Sequence, residues 1–424
     1  ADSLQCFAEG QVPANLSEEE RQTLLKRGYL TEKTSEEEVT WVTRLASVLG
    51  KHMKWPSFTI MPTYDCNLRC TYCYQKRLRS KGRSWLERTM NREMVDAAFQ
   101  VMDQLAEGAK IPISLTLYGG EPLLPHNREI VEHIVTLATA REYTIGAITN
   151  GTCLEVFLDL LDPKKISSIQ VTLDGPPEAH DRRRFLQGGQ GTFDQIACNL
   201  DTVLEMGLPV NLRINVDQGN IAALSPLDEL IANRGWLNYP HFRAYSAPTD
   251  DWLPAGNCEN FTAAQLMQYG RQALGDGPVE RMFEQAFQDR VKGLVTALQT
   301  RKPPVLGVFF CGANAGQYVF DPFGDLYSCW EDVGQGEWYT LGRYHPIFEL
   351  KPEPPDKRWG RSLLDIPQCI QCRYVFLCRG GCKARAHRAH GNYQSPDCAD
   401  FPALFQIVAR LAYANIPSQV DSTS

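Results

Sequence analysis

The chain has 424 residues, 43% of them hydrophobic and 22% charged, with a formal net charge of −7. That length and balance suit a soluble protein of two or three domains with a sizeable core, and the acidic excess argues against a broad basic surface for nucleic acid. No apolar stretch approaches the roughly 20 residues a membrane span needs, and Ala1–Gln5 has neither the basic nor the apolar part of a signal peptide, so the expectation is a cytoplasmic protein with neither nucleic acid nor membrane among its partners.

Residues 1–55 are rich in Glu, Lys and Arg. Ser17 followed by three Glu predicts a capped helix through Leu24 and Leu25 that Gly28 ends, and a second helix is expected from Ser35 to Leu49, ended by Gly50. The pair reads either as a small lid on the main domain or, with Gly28, Tyr29 and Leu30, as a short peptide-recognition element. From Ser57 onward apolar runs alternate with amphipathic stretches, the pattern of a parallel sheet crossed over by helices. The runs are Ser57–Pro62, Ile113–Tyr118, Tyr143–Thr149, Ile166–Leu173, Pro209–Val216 and His241–Ser246, with helices such as Asn91–Leu105 and Asn127–Arg141 between them. Six such units over residues 56–250 predict an α/β fold, a partial (β/α)6 TIM-like barrel whose site lies at the C-terminal strand ends. Residues 251–305 read as a helical bridge with helices at Thr262–Leu274 and Val279–Leu298. After Pro303 and Pro304 strands shorten and Gly and Cys become frequent, so residues 306–400 are set apart as a Cys-rich domain. Residues 401–424 are expected to form one helix, Phe401–Ala414, and a polar tail.

Fourteen Cys in a long chain, gathered at ligand-like spacing, point to metal in a reducing compartment and away from disulfides. Cys66, Cys70 and Cys73 fall at C-x3-C-x2-C just after the first predicted strand. Three soft ligands on one loop ask for a soft metal; a structural zinc wants a fourth, and the loop has none. A cluster held by three thiolates instead leaves one iron open. Tyr118-Gly119-Gly120-Glu121-Pro122 ends the second strand on the same rim, where two glycines permit a close backbone approach, although a simple strand-to-helix turn would use the same residues. Farther on, Cys311 is followed after twelve residues by Gly324 and after four more by Cys329; then come Cys369, Cys372, Cys378, Cys382 and Cys398. A zinc ribbon is the plain alternative for the C-x2-C pair there.

The Cys66–Cys73 spacing with Tyr72 before the last Cys, joined to the Gly-Gly-Glu-Pro segment, resembles the radical S-adenosylmethionine (AdoMet) superfamily, and the seven later Cys resemble its C-terminal SPASM domain. The resemblance implies a 4Fe-4S cluster on Cys66, Cys70 and Cys73, with AdoMet bound by Tyr72, Gly119, Gly120, Glu121, Thr172 and Arg184, the last chosen from the run Arg182-Arg183-Arg184. It also implies two auxiliary iron-sulfur clusters, three 4Fe-4S in all: one on Cys311, Cys329 and Cys382, the other on Cys369, Cys372, Cys378 and Cys398. The further Cys that some relatives carry about six residues before Cys311 has no counterpart here, where Pro304, Val305 and Leu306 stand, so the first auxiliary site is expected to hold three Cys and either an open iron or a non-local fourth ligand, for which Cys258 is a distant candidate. Cys6, Cys153, Cys198 and Cys258 are otherwise expected to be buried small hydrophobes.

Enzymes of this type act mostly on ribosomally made peptides. The reading implied is a peptide maturase that forms a side-chain cross-link by net oxidation, fed by a flavodoxin- or ferredoxin-type electron donor. Sulfatase maturases of the superfamily carry an Asp directly after the second SPASM Cys, whereas Cys329 is followed by Trp330, Glu331 and Asp332. Glu331 or Asp332 is a candidate base, or both belong to a solvated turn. Modification of a small molecule or of a folded protein is the nearest rival, and an electron-transfer or scaffold protein without AdoMet chemistry the rival from another class.

Overall fold

The structure is a computed structural model that describes residues 16–26, 30–109, 112–249, 261–274, 292–300, 302 and 304–414. The six apolar runs become strands β1 (Ser57–Ile60), β2 (Ser114–Leu117), β3 (Thr144–Ile148), β4 (Ile166–Thr172), β5 (Val210–Val216) and β6 (Phe242–Pro248), parallel and adjacent in chain order. Residues such as Ile60, Leu117, Ile145, Val171 and Leu212 are fully buried, and the helices Arg92–Leu105 and Arg128–Thr139 lay Val95, Ala98, Ile134 and Ala138 into the same core. Asn91 caps the first of these, its side chain accepting from the Met94 amide at 2.8 Å. The other face of the strands is not apolar. Thr172, Arg213 and Tyr245 stand side by side across β4, β5 and β6, which gives the inner face a polar lining where a parallel sheet covered on both sides would be hydrophobic throughout.

The sheet does not end with the six units. β7 (Gln317–Phe320) pairs parallel with β1 on its free edge, and β8 (Asp325–Tyr327), β9 (Gly342–Arg343) and β10 (Glu349–Leu350) continue antiparallel to complete ten strands. The change of sequence pattern after Pro304 therefore marks a change in strand length, not a break in hydrogen bonding.

Ser17 opens the helix Glu18–Lys26, and Thr34 caps the helix Ser35–His52 in a box with Glu37. The second helix does not stop at Gly50. It runs two residues further, to His52, and Val42, Leu45, Leu49 and Met53 along it pack on the cluster that contains Val308. Its buried face, centred on Ala46, packs on Val308, Leu363, Ile366 and Phe376, so this helix covers the Cys-rich region and is not a lid on the barrel. Gly28 and Tyr29, and most of the expected Val279–Leu298 helix, lie outside the described residues. The helices Ala263–Leu274 and Phe401–Ala414 are present and touch each other. No helix among the described residues is long and apolar enough to cross a membrane.

Candidate functional site

The segment that leaves β1 carries the three cysteines and is tied down along its length. The Met61 amide donates to Phe320 O of β7 at 2.9 Å, the Gly120 and Glu121 amides donate to Thr63 O and Asp65 O at 3.1 and 2.7 Å, and the Arg69 and Thr71 amides donate to Phe185 O and Arg183 O at 2.8 and 3.0 Å. Glycine is required where β2 ends. A Cβ on Gly120 would sit 2.0 Å from Asp65 O, and Gly119 has a φ of +130° with Thr63 O 2.7 Å from where its Cβ would be. The Gly-Gly pair thus lets two strand ends press together.

Cys66, Cys70 and Cys73 line one cavity of about 370 Å³ at the C-terminal strand ends, together with Tyr72, Gly119, Gly120, Glu121, Thr172 and Arg184. Burial pushes the Cys66 thiol far above its usual range and the Cys70 thiol up to about 11, and the neighbouring thiols add to both shifts, while the Arg184 guanidinium pulls Cys70 back. Two thiols that resist ionising, with the Cys73 thiol on the same cavity, are a donor set that a cationic centre would stabilise. Among the described residues no group of three or more His, Cys, Asp or Glu is arranged to hold a single metal ion.

Around the thiols the side chains form one connected network. Glu121, 1% exposed, accepts from the Leu123 amide (2.9 Å) and the Thr149 hydroxyl (2.7 Å) on Oε1 and from the Asn150 amide (2.6 Å) on Oε2. Burial raises its pKa, and these three donors oppose that rise. The single donor on Oε2 leaves acceptor capacity there. The Tyr72 phenol donates to Asp174 and accepts from Arg184 Nη1 (2.9 Å) and Asn215 Nδ2 (3.1 Å). The three consecutive arginines separate cleanly. Arg182 is exposed, Arg183 holds Asp217 bidentately at 2.9 and 2.8 Å, and Arg184, 7% exposed, reaches the cavity with its Nε buried and without a hydrogen-bond partner.

The C-terminal region closes the cavity from the other side. Trp330 and Glu331 line it, with the Trp330 ring edge-on to Tyr118 at 5.8 Å and Tyr118 stacked on Tyr74 at the same distance. Asp332, 5% exposed, points elsewhere and pairs with the buried Lys383 ammonium at 3.5 Å. Of the two candidate bases only Glu331 faces the cavity.

Cys369, Cys372, Cys378 and Cys398 lie close enough to act on one another's charge; burial first and then these neighbours raise Cys369 to about 12, and Cys378 rises to about 11. Cys311 is raised by burial and then by Cys382, whereas the charges that act on Cys329 are Asp332, Lys383 and Glu331. Cys258 and Cys6 lie outside the described residues. Cys153 is partly buried, but Cys198 is exposed on the helix Phe193–Glu205, against the expectation of a buried hydrophobe, because it falls on the solvent side of that helix. Asn150, Asn215 and Arg213 also line the cavity and were not picked out from the sequence. For Arg213 and Asn215 the signal was present, since polar residues that interrupt the apolar strand β5 at alternate positions face the opposite side of the sheet, whereas Asn150 lies beyond the end of β3.

The model of the radical SAM superfamily matches residues 60–220. The chain is 27% identical over 380 residues to the Fe-coproporphyrin III synthase of Methanosarcina barkeri, covering 83% of this chain and 88% of that one. It is 22% identical over 390 residues to a cysteine-type anaerobic sulfatase-maturating enzyme of Clostridium novyi, covering 85% and 97%. To the sporulation killing factor maturation protein SkfB of Bacillus subtilis it is 27% identical over 180 residues, which span 42% of this chain and 40% of SkfB. Among solved structures, native anSMEcpe with bound AdoMet superposes with a TM-score of 0.61 at 18% identity, over 84% of this chain and 99% of that one. The chain thus contains a radical SAM domain at residues 60–220, followed by a Cys-rich C-terminal region, and that superfamily implies AdoMet and a 4Fe-4S cluster.

Proposed function

We propose that this enzyme is a peptide maturase that abstracts hydrogen from a ribosomal precursor peptide and forms a side-chain cross-link. The observation that carries the reading is the convergence on one cavity of three thiols from one loop, the Gly119–Glu121 turn, and Arg184 with its buried, unpartnered Nε. Those residues fit the expected groups. Cys66, Cys70 and Cys73 would hold the cluster. Arg184 offers a guanidinium edge for the AdoMet carboxylate, Glu121 Oε2 has acceptor capacity for its ammonium, and Thr172 and Tyr72 stand beside them. When bound, the cluster supplies the electron that splits AdoMet into methionine and a 5′-deoxyadenosyl radical, which takes hydrogen from an unactivated carbon.

The chain's own residues then have defined tasks. Tyr74, Tyr118 and Trp330 wall the cavity with rings and keep water from it. Cross-linking releases one proton and one electron beyond the abstracted hydrogen. Glu331 on the cavity wall is the group for the proton, while Asp332, held by Lys383, fixes the turn that presents it. The C-terminal cysteines would carry auxiliary clusters for the electron, and a flavodoxin- or ferredoxin-type protein would supply the first one. That barrel and Cys-rich region both line the cavity supports a substrate entering between them, and the likeness to a maturation protein, SkfB, supports a peptide.

A second reading, modification of a small molecule, has the likeness to the Fe-coproporphyrin III synthase in its favour. Anaerobic reconstitution with iron and sulfide, followed by AdoMet and dithionite, tests both. The expected result is 5′-deoxyadenosine whose formation candidate peptides accelerate. Acceleration by porphyrins and not by peptides would replace the first reading with the second, and no 5′-deoxyadenosine at all would sink both.

A further inference from the structure

The cavity contains a second guanidinium edge, and nothing in the network around the thiols uses it. Arg213 projects from β5 between Thr172 of β4 and Tyr245 of β6, its neighbours in register. Its Nε donates to Asn215 Oδ1 at 2.8 Å, its Cζ lies 5.9 Å from the centroid of the Tyr245 ring, and Tyr245 is itself fixed by a 2.6 Å hydrogen bond to Gln170. Asn215 in turn donates to the Tyr72 phenol. The plane of the Arg213 guanidinium is thus set on one side by an amide and on another by an aromatic ring. Among the described residues neither Nη has a hydrogen-bond or ion-pair partner.

Arg79, on the turn after Cys73, also lines the cavity and acts on the Cys70 thiol, while the remaining arginines near the thiols are engaged differently. Arg69 donates to Cys66 O and Leu68 O, Arg183 is paired with Asp217 and Asp174, and Arg184 is bonded to Tyr72. The chain has 50 acidic side chains and 43 basic ones, yet among the described residues no carboxylate is paired with the Arg213 fork. A partly buried, oriented, unpaired guanidinium is suited to a planar anion supplied from outside, which two parallel N–H donors grip bidentately. The rings of Tyr74, Tyr118 and Trp330 line the same cavity, and Arg213 is near enough to Tyr118 to act on its phenol.

We propose that Arg213 is a specificity-determining residue that binds a carboxylate of the substrate, so that the segment entering the cavity carries an acidic group beside an aromatic or other apolar one. This deepens the peptide-maturase reading and rests on it for the identity of the substrate, though not for the anion site itself. A carboxylate seated there would fix the depth of the substrate, and with it the carbon presented for hydrogen abstraction.

The test uses the reconstituted, AdoMet-loaded enzyme and two probe pairs: the capped tetrapeptide Ac-Gly-Glu-Phe-Gly-NH2 with its Gln twin, and 3-phenylpropionate with 3-phenylpropionamide. Dissociation constants are measured for the natural enzyme, Arg213→Gln and Arg213→Lys, with AdoMet affinity followed in parallel. The natural enzyme should prefer each acid over its amide by about tenfold or more, the worth of one charge-assisted hydrogen-bonded pair. Arg213→Gln should abolish the preference, and Arg213→Lys, which keeps the charge but not the fork, should retain part of it. A preference seen with phenylpropionate but not with the peptide would leave the anion site standing and overturn the peptide reading. Absence of any preference in the natural enzyme, or an equal preference in Arg213→Gln, would overturn the inference. So would an Arg213→Gln variant that keeps the preference and loses AdoMet affinity, since the guanidinium would then serve the cofactor.

Discussion

The two cysteine-bearing regions are built in opposite ways. Cys66, Cys70 and Cys73 sit on a segment hydrogen-bonded to β7, to the end of β2 and to the chain after β4, so the sheet itself brings the thiols together. The C-terminal cysteines stand on short turns. Cys369 belongs to the single turn Pro367–Ile370, Cys378 ends Val375–Cys378, and Arg379, Gly380 and Gly381 follow with φ of 62°, 79° and 72° before Cys382. Arg379 adopts the left-handed conformation without being glycine, and a Cβ on Gly381 would lie 1.8 Å from Asp397 O. What holds this frame is chiefly one buried cation: Arg361 donates to the carbonyls of Gly380, Gly381, Tyr393 and Ser395. Cys372 and Cys398 stay exposed. The rim site is made by the fold, whereas the C-terminal frame relies on turns, on Arg361 and on whatever its thiols bind.

The largest effect that would sharpen this contrast is chemical. Cys70→Ala should lower 5′-deoxyadenosine formation by at least about a thousandfold, equivalent to roughly 4 kcal/mol in the barrier, while far-ultraviolet circular dichroism stays that of the native chain. Unfolding of the variant would show that the rim depends on its metal as much as the C-terminal frame does. Next comes removal of bound metal by an iron chelator. Hydrogen exchange at residues 306–400 should accelerate by about a hundredfold while the amides of β2–β5 change by no more than about threefold. Equal acceleration in both regions would break the contrast. A smaller effect is expected from Gly120→Ala, whose added methyl must displace Asp65 O from 2.0 Å. Overpacking of this kind costs about 1–3 kcal/mol, and by shifting the Cys66 segment it should reduce AdoMet cleavage by about a hundredfold with the C-terminal absorption bands intact.

Legibility followed the same divide. Every strand of the barrel was readable, because runs such as Ile166–Leu173 have the length, β-branched content and flanking breakers of a buried strand, and the thiol spacing and Gly-Gly-Glu-Pro segment are local in the chain. β7 was not readable as a partner of β1, since four residues carry no mark of which edge they will join across some 250 positions. Gly50 does not stop its helix because the packing of Val42, Leu45, Ala46, Leu49 and Met53 on the cluster around Val308, invisible in the sequence, outweighs the poor helix propensity of glycine. Arg184 could be named from a run of three, but the separate fates of Arg182 and Arg183 depend on Asp217 and Asp174, which only the fold brings to them.

The junction between the two regions offers the finest test. Asp321, at the end of β7, accepts the Tyr64 hydroxyl at 2.8 Å on Oδ2 and the Phe323 and Asp325 amides at 2.9 Å each on Oδ1, and Tyr64 lies on the segment that leads to Cys66. Burial first, and then the Asp325 carboxylate, push its pKa up to about 7; the amides and Tyr64 oppose the shift, and Tyr327 and Tyr344 face it without charge at neutral pH. A carboxyl that binds its proton more tightly when folded gives a contribution that is complete below the unfolded pKa of about 4 and is lost as pH rises toward 7. Asp321→Asn keeps an oxygen for the two amides and places an amide donor against the Tyr64 oxygen, so it should remove this dependence. Relative to the natural enzyme, the variant should gain about 2–3 kcal/mol in stability between pH 5 and pH 8, read from anaerobic thermal unfolding of the metal-loaded proteins. A constant difference across that range would mean that Asp321 is ionised in the folded protein throughout, and that the junction of rim and C-terminal frame is held by a charged carboxylate.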